Sequence, residues 1–390
     1  MPSSANAKIP MRALLAGARR KQPSLIAFTR QLVQLESPSD SKAAVDACLA
    51  LAAAHARQLG GRVKIHRHPN FGNVLEARFG PRGPREKPIL LLGHLDTVWP
   101  LGTLQTMPCR LSGGRLWGPG TLDMKAGVAM AFTALELLIE AGRPNGEIFG
   151  REIVLLLTGD EEIGSTASRP ITESIAKTCS AVYVLEPAQG LAYKTARKGI
   201  GNWRIEVAGI AAHAGVDFEK GANAIRELAR VVEKVSSWTD LKRGLTVSVG
   251  VAGGGTKSNV IPAHAWAEVE ARIVRRADGP RIERKFAALK AQDPRCKLRV
   301  TGGINRPPME RSRGAVRLFR QAQALARELG FSLDEASTGG GSDGNFTAAL
   351  GIPTLDGMGA VGEGAHARHE SVLVEHLAPR TALLAAMLTQ

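Results

Sequence analysis

The feature that most constrains this chain is a set of three short, wholly apolar runs, Ile89–Leu92, Ile153–Leu157 and Ala181–Leu185, each followed within three residues by a histidine or a carboxylate. Runs this short, without polar alternation, fit strands buried on both faces, and such strands need helices above and below the sheet. Helical apolar spacing occurs where that demands it. Leu25–Leu35 and Ala43–Leu59 precede the first run, and Gly60-Gly61 gives the second helix its stop. Met124–Ala141, rich in Ala, Leu and Met, separates the first run from the second and closes on Gly142 and Pro144. Strand, loop, helix and strand in this order describe an α/β domain with a central, mostly parallel sheet.

Around Gly199 the rhythm changes. Strand patterns at Asn202–Val207, Leu245–Val251, Ala265–Ile273 and Lys297–Val300 alternate with helical patterns at Asn223–Val235 and Arg281–Lys290. This β-α-β-β-α-β order is the ferredoxin-like arrangement. The chain therefore divides into a first domain of residues 1–198 and 309–390 and an inserted α+β domain of residues 199–308, with Pro307-Pro308 at the return. Two domains also suit the length, since 390 residues exceed the ~250 at which single cores stop growing. Helical patterns at Ala315–Leu329 and Leu377–Leu388 complete the first domain.

A net charge of +15 raises the question of nucleic acid. The charge is scattered, with only short clusters at Arg19-Arg20-Lys21 and Arg275-Arg276, and 4% aromatic residues leave no basic-aromatic interleaving on which bases could stack. Neither a nucleic-acid partner nor a membrane is expected, because no apolar run approaches the ~20 residues a spanning helix needs. Cys48, Cys109, Cys179 and Cys296 are far apart, without a C-x-x-C pair, and read as small buried hydrophobes. The apolar stretch Ala13–Ala16 is shorter than the h-region of a secretory signal, so a cytoplasmic location is expected.

The polar residues at the strand ends carry the chemistry. Ligands of open α/β sheets bind beyond the carboxyl ends of the strands. His94 and Asp96 follow the first run, and a carboxylate beside a histidine can fix its tautomer for metal binding, although the pair alone also fits a structural histidine. Asp123 lies in the turn-rich Gly118–Lys125 loop, where it can either bridge two cations or cap the helix that follows. Asp160-Glu161-Glu162 leaves the second run as three adjacent acids, which need compensating positive charge. Side chains alternate on an extended chain, so Glu161 and Glu162 read as one base and one ligand. Glu186 ends the third run, and His366 stands in a late Gly-rich segment. Histidines and carboxylates together form a mixed N/O set suited to zinc or a similar divalent ion.

With these residues in place, the chain resembles the superfamily of dinuclear zinc peptidases that contains the aminoacylases and glutamate carboxypeptidases, and is most similar to bacterial glutamate carboxypeptidases. The resemblance runs from about Leu25 to the C-terminus. It rests on Gly93–Val98, Gly118–Lys125, Gly159–Ser165, Glu186-Pro187, Ala212–Gly215, Ser258–Pro262, Gly340–Asp343 and His366. It implies two zinc ions, with Asp123 bridging, His94 and Glu186 completing one site, and Glu162 and His366 the other. Glu161 would be the general base and Asp96 the orienter of His94. It also implies that the inserted domain dimerises and closes as a lid. His213 would reach across the dimer to the reacting carbonyl, and Asn259, Arg272 and Gly340 would bind substrate. His369 competes with His366 as the last ligand, and His366 is preferred because Glu370 follows four residues later. The expected reaction is cleavage of the amide bond to a C-terminal glutamate-like residue of a small peptide or N-acyl amino acid. The alternative is an N-acyl amino acid deacylase of the acetylornithine or succinyl-diaminopimelate type.

Overall fold

In the computed structural model, which describes residues 9–81, 86–142 and 151–390, the three apolar runs are neighbouring strands of one sheet. Its six strands stand in the order Arg62–His66, Val74–Phe79, Ile153–Thr158, Ile89–His94, Ala181–Val184 and Thr354–Leu355. The last four run parallel, and the first two are antiparallel additions at one edge. Register aligns the carboxyl ends, with His94 opposite Thr158 and Leu92 opposite Val184. Ile89–His94 has the next apolar strand on one side and the one after it on the other, so strand order reverses there, the position at whose carboxyl ends open α/β sheets bind ligands.

Alternate side chains of these strands enter two separate cores. Leu91, Leu155 and Tyr183 pack with the helices Met11–Gln34, Ala126–Glu140 and Leu377–Leu388. Leu90, Leu92, Val154, Leu156 and Val182 pack on the other face with Ile175 and Ala176 of the helix Arg169–Ala176. Burial on both faces is why the runs carry no polar alternation. The helix Ala126–Glu140 comes very close to the sheet: a Cβ on Gly127 would lie 2.2 Å from the Leu185 carbonyl oxygen. Only glycine allows that approach, one residue before Glu186.

Two local expectations are corrected, and two edge strands are added to those expected. The first helix begins at Met11, not Leu25, and carries Pro23 inside it. Its early half is held by buried Leu14 and Ala18 and by Lys21, whose Nζ meets Glu136 and Glu140 at 3.1 and 2.6 Å, so packing overrides the proline signal. The helix after Asp123 begins at Ala126, not Met124, because Asp123 (φ −114°, ψ 92°) and Met124 are not helical; Pro144 lies outside the described residues. The edge strands Arg62–His66 and Val74–Phe79 went unread because charge interrupts their apolar pattern. Buried Glu76 takes His66 at 2.7 Å and Arg78 at 2.5 Å, so those charges are paired inside the sheet.

The chain forms two compact units. One comprises residues up to Ala196 with Arg311–Thr338 and Ser342–Gln390, and the other comprises Arg197–Glu310 with Gly339–Gly341. The second unit holds a four-stranded antiparallel sheet in the order Thr246–Gly254, His264–Ile273, Gly199–Ala208 and Lys297–Arg306, with helices Ala224–Ser236 and Asp278–Ala287 in the crossovers. Strand, helix, strand, strand, helix and strand therefore follow one another as the periodicity predicts. Trp203 stacks on Phe286 with ring centroids 4.0 Å apart at the centre of its core. Among the described residues no helix is long and apolar enough to cross a membrane.

Candidate active site

His94 is the last residue of its strand and is buried at the carboxyl edge of the sheet. Its Nε2 lies 3.3 Å from Asp123 Oδ1 and 3.6 Å from Glu186 Oε1. His366 Nε2 lies 3.4 Å from Asp123 Oδ2 and 3.2 Å from Glu162 Oε1. The structure thus gathers two three-residue groups able to hold a metal ion, His94–Asp123–Glu186 and Asp123–Glu162–His366, each with donor atoms within 4.8 Å of one another. Asp123 belongs to both and gives one oxygen to each. The alternative role of Asp123 as a helix cap does not apply, since the helix after it starts without a side-chain cap.

Local backbone explains how each side chain arrives there. Gly120, at φ +70°, turns the Gly118–Lys125 loop into a conformation side-chain-bearing residues rarely adopt, and the Asp123–Met124 peptide is cis. His366 itself has φ +61°, in the left-handed region where histidine is enriched among non-glycine residues but still uncommon. The turn Gly364–Glu370 presents His366 to Asp123 and Glu162, and His369 belongs to neither group.

Electrostatics agree with a cation-seeking site. Burial disfavours the charged form of His94, yet Asp123, Asp96 and Glu186 hold its imidazole well above the usual histidine range. Asp123 and Glu162 push His366 up to about 10. Burial would raise the Asp123 carboxyl, but His366 and His94 hold it below the carboxylate range. Such a cluster of carboxylates calls for compensating positive charge, which a divalent cation supplies. Asp123 Oδ1 is buried without a hydrogen-bond partner, a lone pair directed at the same space as His94 Nε2. Two imidazoles and three carboxylates are the donor set of a zinc-type ion, and they fit it.

Asp96 does more than its sequence position indicated. His94 Nδ1 lies 2.9 Å from the Asp96 main-chain carbonyl and 3.5 Å from Asp96 Oδ1, so its orientation has two anchors. The same carboxylate accepts the backbone N–H of Glu161 at 3.2 Å and of Glu162 at 3.1 Å, and the Ser39 hydroxyl at 2.7 Å. It therefore fixes His94 and the Glu161–Glu162 turn together. Asp160 explains the third acid of the run. It is fully buried, and its Oδ2 accepts the amides of Ala167 and Ser168 at 2.7 and 3.3 Å. Glu161 is half-buried at the head of the 3-10 turn Glu161–Ile163 and lies outside both ligand groups.

The other candidates lie in the second unit. His213 and Asn259 are brought together there: Ala212–His213 pairs antiparallel with Val260–Ile261, and Ala214 N–H donates to Asn259 O at 3.0 Å. Both are exposed. Arg272 forks onto Glu270 with bonds of 2.7 and 2.8 Å and donates to Gly339 O at 3.1 Å, while Arg197 reaches the Gly340 and Gly341 carbonyls at 3.3 and 3.0 Å. Two arginines thus grip the glycine stretch. Glu370 has no role of its own visible in the sequence; in the structure it is fully buried and accepts backbone amides of the Asp123 loop. No periodicity or spacing could reveal a bond between residues this far apart in the chain.

An α/β domain that places histidines and carboxylates around one shared aspartate at its strand ends defines a metal-dependent hydrolase. Residues 90–390 match Peptidase family M20/M25/M40, and the chain belongs to that family, whose members hydrolyse C–N amide bonds. It is 30% identical to carboxypeptidase G2 of Pseudomonas sp. (strain RS-16) over 96% of this chain and 91% of that protein. It is 27% identical to a succinyl-diaminopimelate desuccinylase of Stenotrophomonas maltophilia (strain R551-3), over 85% of this chain and 90% of that one. The fold matches the crystal structure of aminopeptidase PepT from Bacillus cereus with a TM-score of 0.75 and 24% identity, covering 94% of this chain and 98% of that one.

Proposed function

We propose that this enzyme cleaves the amide bond to a C-terminal glutamate-like residue of a small peptide or N-acyl amino acid, using two zinc ions held by His94, Asp123, Glu162, Glu186 and His366. The observation that carries this reading is the division of Asp123, one oxygen toward His94 and Glu186 and the other toward His366 and Glu162. Similarity to carboxypeptidase G2 over nearly the whole chain supports removal of a C-terminal residue. Bound ions of this kind supply Lewis-acid chemistry, polarising the scissile carbonyl and acidifying a water.

The chain's own residues handle protons and orientation. Glu161, one residue from the ligand Glu162 and held through its amide by Asp96, takes the proton of the attacking water and passes it to the leaving amine. Asp96 keeps His94 oriented so that its Nε2 stays aimed at Asp123 and Glu186. His213 donates to the developing oxyanion. Asn259, Arg272 and the Gly340 peptide receive the substrate's free carboxylate, since an arginine fork and glycine-exposed amides both suit planar anions. The enzyme acts as a homodimer through its second unit, the partner lending His213. A cytoplasmic setting is supported by four cysteines that are all free and buried.

Zinc-loaded protein screened against N-acyl glutamates, glutamyl dipeptides, N-acetylornithine and N-succinyl-diaminopimelate, scored by released amine, is expected to turn over the glutamate compounds best. Turnover confined to the ornithine or diaminopimelate compounds would replace this reading with a deacylase, which the 27% identity to the desuccinylase favours as the second choice.

A further inference from the structure

Glu370 presents a problem that the ligand set leaves unsolved. It is a fully buried carboxylate with no direct Lys or Arg ion pair among the described residues. Its partners are four neutral N–H groups. Oε2 accepts from the Trp99 indole at 2.8 Å and from the Gly120 amide at 2.9 Å; Oε1 accepts from the amides of Leu122 at 2.8 Å and Asp123 at 3.1 Å. Burying a charge in this way is costly unless something requires an acceptor of that capacity. Only a carboxylate offers two oxygens that can both accept twice, and four converging N–H groups require that.

The donors occupy telling places. Trp99 follows the His94–Asp96 segment, Gly120 to Asp123 form the loop that presents the shared aspartate, and Glu370 ends the turn that starts at His366. That turn is closed by Ala367 N–H to Gly364 O at 2.8 Å and Glu370 N–H to Ala367 O at 2.9 Å, and the Glu370 carbonyl accepts from Gly118 N–H at 3.3 Å. One side chain therefore ties together three segments, distant in sequence, that supply His94, Asp123 and His366.

Building on the two-ion reading of the site, we infer that Glu370 is a positioning residue that sets the Asp123 loop against His94 and His366, so that one Asp123 oxygen lies toward His94 and the other toward His366. It touches neither substrate nor reacting atoms. Glu370→Gln has nearly the same shape but leaves one acceptor oxygen and turns an NH₂ toward two of the four donors. Trp99→Phe removes a single donor and keeps the carboxylate.

The test is zinc titration of chelator-stripped protein by calorimetry, with the melting temperature of the metal-free form and kcat and KM at several zinc concentrations, for wild type, Glu370→Gln and Trp99→Phe. Glu370→Gln is expected to weaken the binding of both ions by about 10–100-fold, the usual effect of losing an outer hydrogen-bond partner of a metal ligand. Its kcat should recover as zinc is raised while KM stays near wild type, and Trp99→Phe should fall between the two. Unchanged zinc affinity in Glu370→Gln, including a variant that only melts earlier without metal, overturns the inference. Wild type taking up fewer than two ions would instead overturn the two-ion reading beneath it.

Discussion

Glu161→Gln will keep its metal and lose its turnover. The carboxylate of Glu161 belongs to neither ligand group, so removing its charge leaves His94, Asp123, Glu162, Glu186 and His366 intact. The backbone is also preserved, because Asp96 holds residue 161 through its main-chain N–H, which the substitution does not alter. What is lost is the carboxylate proposed as the base, and with it the route by which a proton leaves the water and reaches the leaving amine. A positioned acid-base group contributes about 10²–10⁴-fold, so kcat should fall by that factor with KM little changed. Zinc content measured by elemental analysis should equal wild type. A variant that sheds zinc but retains activity would exchange the roles of Glu161 and Glu162.

His213→Ala will also bind metal normally and turn over slowly, by about 10²–10³-fold, the loss typical of one oxyanion donor. His213 is exposed in the second unit, on a two-residue strand beside Asn259. It stands within the segment Ala212–Gly215, whose counterpart acts across a subunit boundary in the family this chain resembles. Mixing His213→Ala with Glu161→Gln separates the possibilities. In a heterodimer of the two, one active site carries both defects and the other carries neither, provided that each site borrows His213 from its partner. Activity should then return toward the share of native sites expected from random exchange. Proven exchange without recovery would confine His213 to its own chain or remove it from the mechanism.

Much of this arrangement could be read from sequence because the constraints were local. Three apolar runs ending on His94, Asp160–Glu162 and Glu186 imply buried parallel strands and polar strand ends, and the sheet places them side by side. The second unit was legible for the same reason: its central strands Gly199–Ala208 and His264–Ile273 alternate buried and less buried residues, and its helices Ala224–Ser236 and Asp278–Ala287 have one apolar face. Long-range pairing escaped. Arg62–His66 and Val74–Phe79 look polar until Glu152 is seen to take Arg62 at 2.5 Å and Arg78 at 2.7 Å, which closes the charges among themselves. Asp123 read equally well as a cap or a bridge, because nothing in its neighbourhood records that His94 and His366 stand on either side of it. Asp96 offered one visible partner, His94, and its bonds to the amides of residues 161 and 162 depend on two strands lying in register.

The number of ions each chain binds distinguishes a two-ion site from every other arrangement of these residues. Chelator-stripped protein titrated with zinc, with bound metal counted by elemental analysis and amine release from an N-acyl glutamate followed in the same samples, is expected to approach two ions per chain. Activity should appear only as zinc is restored, because Asp123 offers an oxygen to each of two complete ligand groups. Saturation at a single ion per chain, or full hydrolysis with none bound, would contradict it.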